Sequence, residues 1–191
     1  MFPATCILEG MKLFIASDLH GAFGRAEKII AAFRAENADL LLLCGDYLNH
    51  GPRNGLPDDY APEKVAPLLS SFKEIIIGVR GNCDSEVDQL LLPFPMMGDY
   101  AVVFANARRL FLTHGHIHSP EKLPQLPAGS VFVSGHTHVP VLEYSGEILL
   151  VNPGSPAMPK GGSKAGYALV TAEAACLKTL EGETVKETKL R

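Results

Sequence analysis

Hydrophobic and polar residues follow two alternating patterns in the first half of the chain, one typical of buried strands and the other of helices. Residues 11–17 form a mostly apolar run, whereas residues 24–38 repeat apolar side chains at helical spacing. The two patterns recur, which predicts strands at residues 39–44 and 74–79 and helices at residues 61–72 and 84–92. This order is typical of buried parallel strands that are connected by helices.

From about residue 100 onward the pattern changes to short strands that are separated by tight turns. We expect strands at residues 101–104, 109–112, 131–133, 141–144, 147–151, 168–171, 175–180 and 184–189. Ser145-Gly146 and Glu181-Gly182 are typical hairpin turns. The sequence therefore predicts an α/β (α+β) fold, a two-sheet β-sandwich flanked by helices, in a single domain that spans residues 11–191.

Composition limits the classes of protein that this chain can represent. Its 191 residues with 47% hydrophobic content are enough to bury about 70% of the unfolded surface, so no disulfide staple is needed. The four cysteines have no C-x-x-C spacing, which makes a reducing cytoplasm the simplest compartment. They are Cys6, Cys44, Cys83 and Cys176.

Hydropathy and charge argue against two kinds of partner. No apolar run has the length of a membrane span. The net charge of −4, without a long basic run, argues against a protein that binds a nucleic-acid polymer. Residues 1–10 lack the basic start of a signal peptide, so we treat them as an N-terminal extension, with Met11 as an alternative start.

Seven side chains that can bind metals stand where predicted strands give way to loops, so they are expected to meet at one rim of the sheet. They are Asp18, His20, Asp46, Asn82, His114, His136 and His138. Asp18 and His20 should point the same way, because residues two apart lie on one face of an extended segment. Asp46 can bridge two ions, since a carboxylate has two oxygens.

A single buried histidine is more often a structural residue than a ligand. Here, however, four of the seven histidines and two acidic residues lie at the ends of predicted strands, next to small residues. Histidines and acids without a common function would instead be scattered over the solvent-exposed surface. The set is large enough for two adjacent metal ions. Oxygen and nitrogen ligands without cysteine favour Mn²⁺, with Fe²⁺ or Zn²⁺ as alternatives.

The order and spacing of these motifs resemble those of the calcineurin-like metallophosphoesterases, over nearly the whole chain from Met11. The motifs are Asp18-x-His20, Gly45-Asp46, Gly81-Asn82-Cys83-Asp84, His114-Gly115 and Gly135-His136-Thr137-His138. Segments 49–54, 81–88 and 152–155 look like the small bacterial YfcE-type phosphodiesterase branch. The resemblance implies one ion held by Asp18, His20, Asp46 and His138, and a second held by Asp46, Asn82, His114 and His136.

The resemblance and the ligand chemistry together imply a phosphoric diester hydrolase. Two divalent ions, most suitably Mn²⁺, would activate a bridging hydroxide that attacks the phosphorus of a small phosphodiester. Relatives often pair through their surfaces, so a homo-oligomer, either a dimer or a tetramer, is an open expectation.

Cys83 departs from the general pattern of the family, which has histidine at this position. One interpretation is a small thiol that only fills space. The other is a weak general acid, because an unperturbed thiol with a pKa of about 8.5 stays protonated at neutral pH. The loss of histidine puts strong phosphomonoesterase activity in doubt, since a poor alkoxide leaving group most needs a proton.

The candidate catalytic residues are Cys83, Asp84 and His114, although Asp84 is expected to cap the helix that begins there. The candidate substrate contacts are His50, Arg53, Arg80 and His116. An exposed arginine more often only faces solvent and has no contact with substrate. Whether these four side chains reach a substrate depends on the conformation of their loops. Segment 152–155 is expected to form a turn that shapes the wall of the cleft.

Two alternative functions remain open. A phosphomonoesterase on the same scaffold is disfavoured by the missing histidine. A non-catalytic scaffold, like the retromer subunit of similar fold, is disfavoured because that subunit lacks a complete ligand set, whereas this chain keeps all seven side chains.

Overall fold

The structure, a computed structural model, describes residues 10–191; residues 1–9, most of the expected N-terminal extension, lie outside the described part. Its helices are α1 (Phe23–Ala35), α2 (Pro62–Ser70) and α3 (Glu86–Leu91). Its strands are β1 (Leu13–Ala16), β2 (Leu40–Leu43), β3 (Ile76–Gly78), β4 (Tyr100–Ala105), β5 (Arg108–Thr113), β6 (Val131–Val133), β7 (Val141–Ser145), β8 (Ile148–Asn152), β9 (Gly166–Val170), β10 (Ala174–Thr179) and β11 (Thr184–Lys189).

The strands form two sheets, as the sequence predicts, and both sheets are mixed. One has six strands in the order β11-β10-β9-β1-β2-β3, and the other has five in the order β4-β5-β6-β8-β7. β1, β2 and β3 are parallel, which confirms the expected strand–helix–strand units. β5, β6 and β8 are also parallel, an arrangement that the turn signals of the second half did not predict.

One apolar cluster lies between the two sheets and another lies beneath α1 and α2, and β1 contributes side chains to both. Leu13 and Ile15 belong to the inter-sheet core, whereas Phe14 packs in the cluster beneath α1 and α2. Because both faces of β1 are covered, the strand is apolar throughout instead of alternating.

The outer face of the five-stranded sheet has a different cover. Phe111, Phe132 and Leu150 form a small cluster there, against which Leu123 and Leu126 pack from the β5–β6 connection. A loop, not a helix, therefore covers this side of the sandwich. Within residues 10–191, no helix is both long and apolar enough to cross a lipid bilayer.

Candidate metal centre

Three of the predicted ligands form a cluster that is almost inaccessible to solvent, here called the buried half: Asp18, His20 and His138. They are exposed by 0%, 0% and 3%. Asp18 Oδ1 lies 3.2 Å from His138 Nε2 and 3.6 Å from His20 Nε2. The Nδ1 atoms are held from behind, His20 by Asn49 O at 2.8 Å and His138 by Met158 O at 2.8 Å.

Three further predicted ligands, Asn82, His114 and His136, meet on the cleft side and are called the open half. His114 Nε2 lies 3.0 Å from Asn82 Oδ1 and 3.2 Å from His136 Nδ1. His114 is fully buried and its Nδ1 contacts Cys44 O at 2.7 Å, whereas Asn82 is exposed and His136 is half-buried. The open half therefore combines one fixed ring with two ligands that face solvent.

Asp46 lies between the two halves. Its Oδ2 is 3.6 Å from His20 Nε2 and 3.4 Å from His114 Nε2, so one oxygen faces an imidazole of each half. Its Oδ1 accepts a hydrogen bond from Cys83 N at 2.8 Å, which fixes the carboxylate in this orientation.

The lone pairs of the buried half fit a cation. A backbone carbonyl only accepts hydrogen bonds, so His20 and His138 donate through Nδ1 and turn their Nε2 lone pairs toward each other, at 3.2 Å. Asp18 Oδ1 is buried and has no hydrogen-bond partner among the described residues. Two imidazole nitrogens and one carboxylate oxygen that converge in this way match the donors that Mn²⁺, Fe²⁺ and Zn²⁺ accept.

The charges around the centre also favour a cation. Burial raises the pKa of Asp18, but the neighbouring imidazoles of His138 and His20 outweigh burial and hold the pKa below its usual value. Burial likewise opposes the ionisation of Asp46, and contact with His114 again lowers the pKa. Burial lowers the pKa of His114, yet the nearby Asp46 carboxylate raises the pKa to about 9. The two ionised carboxylates attract positive charge, which is a proton on His114 and which a divalent ion can replace.

The backbone that presents these ligands is not extended. Asp18 and His20 have φ of 58° and 47°, and β1 already ends at Ala16. The expected explanation, that the pair shares one face of a strand, is therefore wrong, although both side chains do meet. Asp46, His136 and His138 also have positive φ, of 56°, 67° and 60°. Left-handed backbone at non-glycine residues is uncommon and concentrates at functional sites.

Glycines allow the ligand loops to approach closely. A Cβ on Gly45 would lie 2.4 Å from Gly81 N, and a Cβ on Gly135 would lie 1.9 Å from Ser17 Oγ. A side chain at Gly45 would push the Asp46 loop away from the Asn82 loop, and one at Gly135 would push the Asp18 loop away from the loop of His136 and His138.

The predicted turn at residues 152–155 supports the ligand loops directly. Ser155 Oγ donates to Asp18 O at 2.8 Å, and Asn152 Nδ2 donates to Gly135 O at 2.8 Å. These two polar side chains are buried and link the turn to both loops. The sequence indicated the turn but not these contacts, because a Ser or Asn in a turn has many possible partners.

Asp84 does not cap the third helix, which corrects one prediction. The N-cap of α3 is Ser85, which forms a capping box with Asp88. The Asp84 carboxylate instead accepts hydrogen bonds from the backbone N–H groups of Asp46, Tyr47 and Gly81, at 2.8, 2.9 and 2.7 Å. Burial and the charge of Asp46 raise the pKa of Asp84 to about 6. Asp84 therefore holds the loops of Asp46 and Asn82 together.

Cys83 faces the centre from the side of the open half. Asn82 Nδ2 donates to its Sγ at 3.1 Å, which turns the amide oxygen of Asn82 toward His114. Sγ lies within 4.8 Å of ligand atoms of His20 and Asp46. Burial and the neighbouring Asp46 carboxylate raise the pKa of the thiol to about 12.

A cavity of about 640 Å³ opens over the centre, and here it is called the cleft. Its lining includes Arg53, one of the four predicted substrate contacts, together with Cys83 and His136. Lys160 and Thr137 also line it, and sequence reasoning did not single them out. The only signal for Lys160 was its place in a Pro/Gly-rich loop beside the expected ligand rim.

The other predicted substrate contacts lie around the cleft and do not line it. Arg80 forms an ion pair with Asp99. The His50 ring packs edge-on against Tyr60 at 5.4 Å. His116 packs beside His114 at 5.3 Å, and burial lowers its pKa. The roles of these residues stay predictions.

Comparison with known proteins identifies the family. Residues 11–175 match the model of the calcineurin-like phosphoesterase superfamily domain. The chain is 47% identical to Phosphodiesterase YfcE of Escherichia coli (strain K12) over 175 residues, which covers 92% of this chain and 95% of the relative.

Solved structures agree. A structure described as YfcE, a phosphoesterase from E. coli, has a TM-score of 0.92 and 45% identity and covers 95% of this chain and 100% of its own. Zn²⁺-complexed Vps29 from Entamoeba histolytica, at 15% identity and a TM-score of 0.60 over 95% of this chain and 100% of its own, shares the fold. The resemblance to the YfcE-type branch is confirmed, and this chain belongs to the calcineurin-like phosphoesterase superfamily.

Proposed function

We propose that this protein is a dinuclear metal-dependent phosphodiesterase that hydrolyses small phosphodiesters. The observation that carries the proposal is the position of Asp46, whose Oδ2 lies 3.6 Å from an imidazole of the buried half and 3.4 Å from an imidazole of the open half. A carboxylate in this place is suited to two neighbouring cations. The 47% identity to a phosphodiesterase supports the reaction class.

The two halves would each hold one ion. Asp18, His20 and His138 would bind the first, Asn82, His114 and His136 would bind the second, and Asp46 would be shared. We infer Mn²⁺ as the most suitable ion, because oxygen and nitrogen donors of this kind suit it, with Fe²⁺ or Zn²⁺ as alternatives. When bound, two such cations would make a water molecule a stronger nucleophile and would stabilise charge on the phosphoryl oxygens.

The charges of the cleft suit a phosphate ester, and Cys83 is the residue that favours a diester over a monoester. Two aspartates and two divalent ions leave a formal charge of +2, which attracts an anionic phosphate group. Arg53 and Lys160 add positive charge to the wall of the same cleft, where they can orient the substrate. A thiol has a higher ordinary pKa than an imidazolium, about 8.5 against about 6.5, so Cys83 is the weaker proton donor and substrates with acidic leaving groups should be preferred.

The experiment removes and restores metal. We expect the protein to bind two divalent ions per chain by elemental analysis, to lose hydrolysis after chelation and to regain it with Mn²⁺. Bis(p-nitrophenyl) phosphate should be cleaved faster than p-nitrophenyl phosphate. Full activity with one ion per chain would contradict the dinuclear proposal. Faster cleavage of the monoester would favour a phosphatase, and a metal-free, inactive protein would favour a scaffold.

We also infer a reducing compartment such as the cytoplasm. Within residues 10–191 the cysteines Cys44, Cys83 and Cys176 are free thiols, and disulfides are rare where thiols stay reduced.

The oligomeric state is a further expectation. Sedimentation of the purified protein would test whether it forms the expected dimer or tetramer.

A further inference from the structure

A buried serine lies next to the first predicted metal ligand. Ser17 is 1% exposed, and its Oγ lies 2.6 Å from Asp18 Oδ2. An ionised carboxylate only accepts hydrogen bonds, so the Ser17 hydroxyl donates to Oδ2. Charge-assisted hydrogen bonds of this kind are about twice as strong as neutral ones. The hydroxyl is therefore able to fix the orientation of the carboxylate.

The same carboxylate oxygen has a second donor. The backbone N–H of His136 donates to Asp18 Oδ2 at 2.9 Å. Oδ2 thus accepts one hydrogen bond from its neighbour in the chain and one from the loop that carries His136 and His138. Because that loop carries a predicted ligand of each half, the Asp18 carboxylate connects both halves to the end of β1.

The other carboxylate oxygen of Asp18 is left free. Oδ1 is buried and has no hydrogen-bond partner among residues 10–191. It lies 3.2 Å from His138 Nε2 and 3.6 Å from His20 Nε2. A carboxylate can rotate about its last carbon–carbon bond, and the two donors on Oδ2 restrain that rotation. They keep Oδ1 directed at the two imidazoles.

The position of Ser17 depends on a glycine in the facing loop. A Cβ on Gly135 would overlap Ser17 Oγ and would crowd Asp18 Oδ2. The lack of a side chain at residue 135 therefore lets the hydroxyl and the N–H of His136 reach the same oxygen.

We propose that Ser17 is a positioning residue for the ion of the buried half, because its hydroxyl holds Asp18 so that the carboxylate binds this ion through Oδ1 alone. The inference rests on the proposed function and deepens it. Groups that hydrogen-bond to metal ligands fix the orientation of those ligands, and their loss typically lowers metal affinity about 10- to 100-fold. Without the hydroxyl, the carboxylate can turn and bring Oδ2 toward the ion as well.

The test measures metal binding to chelator-treated protein. We expect Ser17→Ala to weaken one of the two Mn²⁺ sites by about tenfold and to leave the other nearly unchanged, as followed by electron paramagnetic resonance. The weakened site should be the one that His138→Ala also weakens and that His136→Ala spares. Ser17→Thr keeps the hydroxyl and should restore most of the lost affinity.

A second serine provides the matched control. Ser130 is 2% exposed, and its Oγ donates to Pro127 O at 2.6 Å. It lies at the end of β6 that is opposite to the ligand loop. Ser130→Ala therefore also removes a buried, hydrogen-bonded hydroxyl, and we expect it to lower the free energy of unfolding as Ser17→Ala does but to leave both Mn²⁺ affinities unchanged.

Spectroscopy separates positioning of the carboxylate from simple packing. When Co²⁺ replaces Mn²⁺, its visible absorption weakens as its coordination number rises. We expect the absorption per bound ion to fall in Ser17→Ala, as Asp18 Oδ2 joins Oδ1 on the ion. Ser17→Thr and Ser130→Ala should keep the spectrum of the unaltered protein.

The outcomes separate the two proposals. If the unaltered protein binds two ions and Ser17→Ala keeps both affinities and the Co²⁺ spectrum, Ser17 only fills space and the phosphodiesterase proposal stands. Equal weakening of both sites, or weakening that Ser17→Thr shares in full, also overturns the inference. If the ions bind but no diester is cleaved, the phosphodiesterase proposal fails, while the affinities still decide on Ser17. A protein that binds no divalent ion would overturn both.

Discussion

The two halves of the candidate metal centre carry similar side chains in different surroundings. Asp18, His20 and His138 are at most 3% exposed, whereas Asn82 is exposed and His136 is half-buried. Core packing holds the buried half, while the open half borders the cleft. If the protein is dinuclear as proposed, the halves would divide the work: the buried half would bind its ion tightly, and the open half would exchange ligands with substrate.

The largest effect should come from the residue that joins the halves. Asp46→Asn keeps the size of the side chain but removes a negative charge that faces both, so we expect turnover to fall by on the order of 10³-fold and metal content to drop. Steady-state kinetics and elemental analysis measure these losses. Near-native turnover with two bound ions would show that Asp46 does not bridge.

Cys83→His should change the choice of substrate on the open side. An imidazolium at this position can protonate a departing alkoxide, and such an acid contributes about 10²-fold where protonation limits the rate. We expect cleavage of monoesters with an alkoxide leaving group to rise relative to cleavage of diesters. The ratio of the two kcat/KM values measures the change. Cys83→Ala is the control and should hardly change cleavage of diesters with acidic leaving groups. If the histidine variant keeps both metals and an unchanged ratio, position 83 only fills space.

Asp84→Asn should disturb the connection between Asp46 and the open half. The carboxylate accepts three backbone N–H groups, and the amide presents only one acceptor oxygen to them. Buried donors without partners cost about 1–3 kcal/mol each, so we expect the free energy of unfolding to fall by about 2–3 kcal/mol. Urea denaturation in the presence of chelator measures this loss. The exposed Asp58→Asn is a control that should change stability little.

The smallest expected effect is a difference in metal affinity between variants of the two halves, and it tests directly whether burial separates them. His138→Ala removes a ligand of the buried half and His136→Ala a ligand of the open half, at φ of 60° and 67°, so both changes place the same residue in similar backbone. We expect each to weaken one ion by about 10- to 100-fold, with the larger loss for His138. Titration of Mn²⁺ followed by electron paramagnetic resonance measures both affinities. Equal losses would show that burial does not set the difference.

The sequence predicted the elements better than their arrangement. Apolar periodicity located β1 and α1 to within a few residues, because burial imposes that periodicity. The β4–β5 turn at Asn106-Ala107, with φ of 52° and 57°, was not predicted, since it lacks the glycine that usually marks such turns. The pairing order of β5, β6 and β8 also depends on contacts between distant segments.

The candidate ligands were predicted from motif spacing, but the surrounding contacts were not. The structure brings all seven side chains together, and their roles as ligands stay a proposal. Lys160 lines the cleft only because of how its loop folds, which local sequence does not determine. The cap of α3 was assigned to the wrong residue because Asp84 and Ser85 are both good N-cap residues, and the loop geometry decides between them.

The left-handed backbone at Asp18, His20, Asp46, His136 and His138 has a consequence for how this protein can evolve. Histidine or aspartate held in that conformation costs free energy that glycine would not, of the order of 1 kcal/mol per position. A lineage that stopped using metal could therefore gain stability by replacing these residues. Selection for stability alone would favour glycine at these positions, so a protein that keeps histidine and aspartate there gives up stability in exchange for the ion binding that we propose.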